Sequence, residues 1–382
     1  IRMKTEPFGR VQRTLIIHRA LTPYRIDLFN ALYSRYGCDI YFEEKEAENH
    51  RFNQSLLNLR ICFPYNYLSP GVAGIKNLRW DIFKLIARGR YDLVLTSEIN
   101  LTTLLALAAR YIASPHSRIV PMVDDSYSLA QETIKKQLDL KKIILESGML
   151  DGVILCDRRA QEVYSYSLGK DNRYHTFPIL QKEETIREIL PTLYPDATAL
   201  RGHYTHHPSD KILLYVGRLS PEKNLDSLIS AFSRAFELQN DVHLVLVGDG
   251  PLEGFLRAKA EKTPCRQRIH FAGRKEGKEL YSHYLMADAF VLASILERFG
   301  AVANEALTVG LPSAISRATG IASMLQETRE VVLFDPFSLE QIEEALQAIL
   351  RLADTPWHPD RSSLMPQTFG EILPPLYAFL ER

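Results

Sequence analysis

Short apolar runs alternate with amphipathic stretches along nearly the whole chain. In the first half the runs Thr14–His18, Asp39–Phe42, Leu93–Ser97, Arg118–Val123 and Gly152–Cys156 predict strands, because short unbroken apolar segments suit strands buried on both faces. Between them, Tyr24–Tyr36 and Leu101–Ala113 carry helical spacing. The alternation then breaks. From Gln181 to Asp210 the chain is charged, then rich in Pro, His and Tyr without a sustained period, which predicts a linker. A second series begins at Lys211, with strands expected at Ile212–Val216, His243–Val247, Ile269–Phe271, Ala289–Leu292 and Pro312–Ile315. Between the first two of these, Leu225, Leu228, Ile229, Phe232 and Phe236 fall on one stripe of a helix. The pattern predicts two doubly wound α/β domains, residues 1–190 and 205–360, each with a parallel sheet. Ligands of such sheets bind outside the carboxyl ends of the strands.

Composition narrows the class. The 382 residues are 46% hydrophobic and 24% charged, the profile of a globular protein. Lys plus Arg and Asp plus Glu both number 46, so no global field attracts nucleic acid. Cys38, Cys62, Cys156 and Cys265 are scattered and read as free thiols of a reducing compartment. No signal-peptide pattern opens the chain. Leu101–Ala113 is interrupted by Arg110 and is too short for a bilayer, which needs roughly 20 residues. The expected location is cytoplasmic, with the inner face of the cell membrane as the candidate peripheral site. Trp80, Phe83, Leu85 and Ile86 beside Lys76, Arg79, Lys84, Arg88 and Arg90 form a basic, aromatic stretch suited to such contact. Lys135, Lys136, Lys141 and Lys142 add to it.

Two constellations carry chemistry. Glu297-Arg-Phe-Gly-Ala-Val-Ala-Asn-Glu305 follows the strand Ala289–Leu292. Gly300 permits close backbone approach, and the helix beyond it presents N–H groups to an anion. Gly310 and Pro312 stop that helix. Carboxylates at Glu297 and Glu305 can accept hydrogen bonds from sugar hydroxyls; solvated acids on a capped helix would look the same. The second constellation, Val216-Gly-Arg-Leu-Ser-Pro-Glu-Lys223, places Arg218 and Lys223 beyond a strand end, where two cations suit a diphosphate. Arg and Lys in loops ordinarily face water, so the pair gains meaning from lying on the same predicted sheet edge as the two glutamates.

The set Gly217-Arg-Leu-x-x-Glu-Lys223, Val247-Gly-Asp-Gly-Pro251, Phe271-x-Gly273, Ser294-x-x-Glu-x-Phe-Gly300, Glu305-Ala306 and Gly310-x-Pro312 resembles the family 4 retaining glycosyltransferases of the GT-B fold, bacterial surface-polysaccharide type. In the first half, Thr22-Pro-Tyr-Arg25 with Leu28-Phe29 is similar to the opening loop and helix of bacterial members. The resemblance implies two Rossmann-like domains facing a cleft, the first for an acceptor and the second for a nucleotide-sugar donor. A C-terminal tail, about 365–382, packs back on the first domain in such proteins. By the same resemblance, Arg218 and Lys223 hold the diphosphate, Glu305 the ribose, and Glu297 the donor sugar. Gly217 and the backbone of Phe299, Gly300, Ala301 and Val302 approach sugar and phosphate, and Gly273 and Arg274 lie along the base. The donor is a co-substrate, UDP- or GDP-linked, with no metal or other cofactor expected; the acceptor is a glycan or lipid-linked glycan.

The first half departs from the family pattern. Relatives carry a Gly-Gly loop where this chain has His18-Arg-Ala-Leu-Thr-Pro23, and a His where it has Asp124-Asp125. Asp124 and Asp125 are therefore candidate catalytic groups, or caps of the next segment. His18, Thr22 and Tyr24 are acceptor-side candidates. Gly248-Asp-Gly250-Pro is not a dinucleotide fingerprint, since it follows the second strand of its domain and lacks the third glycine. His203, His206 and His207 lack a Cys or carboxylate at ligand spacing and read as solvated. A nucleotide-sugar 2-epimerase and a non-catalytic nucleotide-sugar binder fit the same donor residues.

Overall fold

The computed structural model describes residues 12–45, 54–71, 78–169, 171–205, 207–353 and 358–382. Lys76 and His206 lie outside them. Two sheets, parallel throughout, form two α/β domains. The first sheet comprises β1 (Thr14–His18), β2 (Asp39–Phe42), β3 (Asn66–Tyr67), β4 (Leu93–Ser97), β5 (Arg118–Val123), β6 (Val153–Leu155) and β7 (Tyr174–Thr176). Their order is β3-β2-β1-β4-β5-β6-β7. The second comprises β8 (Lys211–Val216), β9 (Val242–Val247), β10 (Ile269–Gly273), β11 (Ala289–Leu292), β12 (Ser313–Ser316) and β13 (Val331–Phe334). Their order is β10-β9-β8-β11-β12-β13.

In each sheet the order reverses once, between β1 and β4 and between β8 and β11. Adjacent loops leave in opposite directions at such a point and open a crevice. The central strands are uniformly apolar because helices cover both faces: Leu15, Ile16 and Ile17 are fully buried, as are Ile212, Leu213, Leu214 and Tyr215. The stripe Leu225, Leu228, Ile229, Phe232 and Phe236 is buried on the helix Leu225–Ala235 and its C-cap.

The segment expected to be a linker is instead largely helical, with short turns at Glu183–Arg187 and Leu190–Leu193 and a helix at Tyr194–Tyr204. Its pattern was illegible because Tyr194–Tyr204 anchors through a cation rather than an apolar stripe. Its buried residues are Ala197 and Arg201. Arg201 donates to the Met286 carbonyl at 2.7 Å and to Asp288 at 2.8 Å, tying the helix to the second domain. Strands β3, β7 and β13 lie at sheet edges and are not among the expected strands; β3 and β7 are only two and three residues long with little apolar run, whereas β13 is a short apolar run, Val-Val-Leu-Phe.

The last helix, Phe369–Leu380, opens with a capping box of Thr368 and Glu371 and lies on the first domain. Tyr377 Oη donates to the Ala31 carbonyl at 3.3 Å, Arg35 pairs with Glu381 at 2.7 Å, and Arg118 reaches the Leu380 carbonyl at 2.7 Å.

Candidate functional site

The loops after β8 and β11 leave the second sheet at its switch point. Gly217 follows β8 with φ 152°, and Arg218 comes next, its carbonyl accepting from Tyr215 Oη at 2.9 Å. A 3-10 turn, Pro221–Lys223, then brings Lys223 back toward β11. There Lys223 Nζ and the Glu297 carboxylate form an ion pair, both side chains 17% exposed. Two residues expected to contact the donor separately are thus paired with each other, so the lysine is already oriented at the mouth of the sheet.

The Gly248-Asp-Gly250 turn has a packing role. A Cβ on Gly248 would fall on the carbonyl oxygen of Gly217, and one on Gly250 on that of Leu219. Leu219 N–H donates to the Asp249 carbonyl at 2.8 Å, and Leu252 N–H to the Leu219 carbonyl at 3.0 Å. The glycines let the loop after β9 lie directly on the backbone that carries Arg218.

Gly300, with φ 107°, is the N-cap of the helix Ala301–Thr308, and no side chain caps it. Phe299 is buried, while Ala301 and Val302 are half-buried. Within this helix Glu305 accepts from Tyr284 Oη at 3.0 Å and from Gln181 Nε2 at 2.6 Å. Burial pushes its carboxyl above the ordinary carboxylate range, against the pull of those two donors. Gln181 belongs to the connection between the domains, and its N–H also donates to Asn304 Oδ1 at 3.0 Å. Gly273 takes φ 69° at the end of β10, and Arg274 beyond it is exposed and paired with Glu276.

Across the crevice the first-domain candidates separate. Asp125 is buried; its carboxylate accepts from the Tyr164 hydroxyl and pairs with Lys141 at 2.6 Å. Asp124 is more open and is paired with Arg25, itself almost wholly buried. Neither aspartate caps the helix Tyr127–Lys135: Ser126 stands at the N-cap, and Asp157 accepts from the Tyr127 N–H at 3.0 Å. His18 is buried rather than open to the cleft. Its Nδ1 lies 3.0 Å from the Ala20 carbonyl and its ring is edge-on to Phe29. Burial first, then the Arg25 charge, holds its pKa down to about 4, so the ring is neutral at pH 7. Thr22 is buried and Tyr24 half-buried, the tyrosine hydroxyl pushed up by burial and by Asp124.

Sequence reasoning passed over Gln181, Glu98 and Arg298. Glu98 ends β4, and Arg298 of the second domain donates to it at 2.7 Å. Gln181 sat in the stretch read as linker. The basic surface is also smaller than its composition suggests. Arg79 donates to the Glu43 carbonyl, Lys141 is paired with Asp125, and Lys142 donates to the Ile134 carbonyl. Trp80 remains 56% exposed. Among the described residues no helix is long and apolar enough to cross a membrane, and no group of three His, Cys, Asp or Glu side chains is placed to hold a metal ion. His203 and His207 are exposed.

Residues 196–361 match the family model described as glycosyl transferases group 1. The fold is that of the GT-B proteins, two Rossmann-like domains, and the family match lies within the second of them. Among curated relatives, the uncharacterized glycosyltransferase MJ1607 of Methanocaldococcus jannaschii is 29% identical over 141 residues, 37% of this chain and 36% of that protein. The sulfoquinovosyl transferase SQD2 of Arabidopsis thaliana is 32% identical over 151 residues, 39% of this chain and 28% of that protein. The chain thus matches only about a third of those relatives' own lengths. The solved structure of HepE from Anabaena in complex with UDP shares the fold over 97% of this chain and 100% of its own, with TM-score 0.70 and 16% identity. Sucrose-phosphate synthase from Thermosynechococcus elongatus covers 97% of this chain and 99% of its own, with TM-score 0.69 and 20% identity.

Proposed function

We propose that this protein transfers a sugar, with retention at the anomeric carbon, from a UDP- or GDP-linked donor to a hydroxyl of a glycan or lipid-linked glycan. One observation carries the proposal. Arg218 and Lys223 after β8, and Glu297 and the helix bearing Glu305 after β11, flank the switch point of one sheet. The binding of UDP by the structural neighbour HepE supports the choice of donor class.

In this proposal the diphosphate lies against Arg218, Lys223 and the first turn of Ala301–Thr308, and the ribose hydroxyls meet Glu305. Glu297, held by Lys223, accepts from hydroxyls of the donor sugar. The bond from C1 to the β-phosphate oxygen breaks, and the acceptor oxygen bonds to C1 from the same face. The acceptor proton passes to the departing phosphate. Negative charge grows on that phosphate as the bond breaks, where two fixed cations stabilise it more than they stabilise the intact donor. They take the place of a divalent ion, so transfer persists in excess chelator.

The test is proton NMR of the first product formed from a UDP- or GDP-sugar and a glycan acceptor. An α-linked donor yielding an α-linkage supports the proposal; a β-linkage overturns retention. Release of nucleotide with an altered free sugar and no linkage identifies the epimerase instead.

A further inference from the structure

Glu98 stands where β4 ends, at the switch point of the first sheet. Its φ is 63° although it is not glycine. That conformation is unfavourable for a residue with a Cβ and persists only where its surroundings enforce it. Here its N–H donates to the Met122 carbonyl at 2.8 Å, and its carbonyl accepts from Thr103 Oγ1 at 2.6 Å. The carboxylate is equally well held. Oε1 accepts from Arg298 Nη1 at 2.7 Å and from the Asp124 N–H at 3.3 Å, and Oε2 lies 3.6 Å from Lys141 Nζ. Arg298 comes from the other domain and directly follows Glu297. It also donates to the Asp124 carbonyl at 3.4 Å, and its own carbonyl faces Cys156 Sγ at 3.6 Å.

A second arginine crosses in the opposite direction. Arg159 is oriented by Asp157, Nη2 to Oδ2 at 2.9 Å, and donates to the carbonyls of Arg317 at 2.8 Å and Thr319 at 2.6 Å. Thr319 forms an isolated parallel bridge with Glu297. Two arginines from opposite domains therefore cross the cleft, Arg298 from the loop that carries Glu297 and Arg159 onto the loop after β12 that Thr319 bridges to it, and in each case a first-domain carboxylate orients the guanidinium. The Glu98–Arg298 pair is a poor stabiliser, since the Arg298 side chain is 59% exposed and exposed ion pairs contribute little. Their location gives the two pairs another use: Arg298 lies on the loop that carries Glu297, and Arg159 reaches that loop through Thr319.

We infer that Glu98 and Arg159 are positioning residues which, through Arg298 and Thr319, hold Glu297 and the start of the helix Ala301–Thr308 in register with the first domain. The donor-sugar loop is then aligned only against the domain that brings the acceptor. The inference rests on the proposed role of Glu297 as the donor-sugar carboxylate. Glu98 and Arg159 touch no reacting atom.

The experiment compares the parent with Glu98→Gln, Arg298→Gln, their double variant and Arg298→Lys. Nucleotide binding, read by thermal shift with UDP and GDP, weakens by no more than about twofold to threefold, because Arg218, Lys223 and Glu305 are untouched and only the first-turn amides of Ala301–Thr308 are loosened. The kcat of transfer falls by about tenfold to a hundredfold, as a misaligned reacting group predicts, with little change in donor KM. The double variant is no slower than the slower single one, and Arg298→Lys recovers part of the loss. Without any nucleotide, deuterium uptake across residues 294–305 rises in Glu98→Gln. Unchanged uptake, or losses that multiply in the double variant, overturns the inference. Failure of the parent to bind any nucleotide or transfer any sugar counts against the donor proposal alone, and the uptake measurement still decides whether Glu98 holds the loop.

Discussion

The two edges of the cleft hold comparable numbers of charged residues and use them differently. On the second domain, the turn that carries Arg218 is packed backbone to backbone against Gly248 and Gly250 of the loop after β9, and the ionic partnership of Lys223 with Glu297 joins two candidate donor groups. On the first domain, Asp125, His18 and Arg25 are turned into the fold, bound to Tyr164 and Lys141, to Ala20 and to Asp124. A charge at a strand end is therefore no sign of chemistry by itself. What distinguishes the donor edge is charge combined with glycines at positions where a Cβ would collide with main chain.

The largest expected effect lies on the donor edge. Arg218→Ala with Lys223→Ala lowers the transfer rate by at least about 10²–10³-fold, the loss seen when a fixed charge-stabilising donor is removed. The unfolding midpoint falls modestly, because Glu297 loses its lysine partner at the mouth of the sheet. Undiminished transfer by this variant would remove the diphosphate assignment.

On the opposite edge the order of effects reverses. Asp125→Ala leaves the buried Tyr164 hydroxyl without its carboxylate and Lys141 with Glu98 alone, and destabilises the protein by about 1–3 kcal/mol, while transfer per folded molecule changes far less. Denaturant unfolding checks this, and a variant as stable as the parent would return Asp125 to the catalytic candidates. Gly248→Ala places a methyl group on the Gly217 carbonyl. It costs about 2–4 kcal/mol by forced backbone movement and weakens nucleotide binding as the Arg218 loop shifts.

The smallest effect is a pH dependence. His18 and His175 both have their pKa lowered to about 4 by burial, from 6.5. Between those values the unfolded chain binds protons that the folded chain refuses. Their contribution is therefore complete above pH 6.5 and is lost as the pH falls toward 4, by up to about 1.4 kcal/mol per unit for each group. His18→Gln flattens that slope by roughly half of the pair's share. A slope identical to the parent's would show His18 to be solvated.

Much of the fold was legible because the central strands are unbroken apolar runs and the helix Leu225–Ala235 has a clean stripe. The helix Tyr194–Tyr204 was not, because Arg201 anchors it through hydrogen bonds to Met286 and Asp288, which leave no hydrophobic period. The candidate donor edge is marked in the sequence by ordered motifs. Its pairing of Lys223 with Glu297, and the supply of Gln181 to Glu305 from the interdomain connection, are not, since both join residues remote in sequence. Glu98 carried no motif; only its backbone conformation and its partner in the other domain mark it.

The central claim is that the second domain binds a nucleoside-diphosphate sugar through the residues around β8 and β11. The most direct measurement is thermal unfolding with UDP, GDP, ADP, dTDP and CMP, repeated on Glu305→Ala. Binding to the native state alone stabilises it by about 2.7 kcal/mol at a hundredfold excess over Kd. The account predicts a raised midpoint with UDP or GDP and its loss in Glu305→Ala; an unmoved midpoint with all five nucleotides would contradict it.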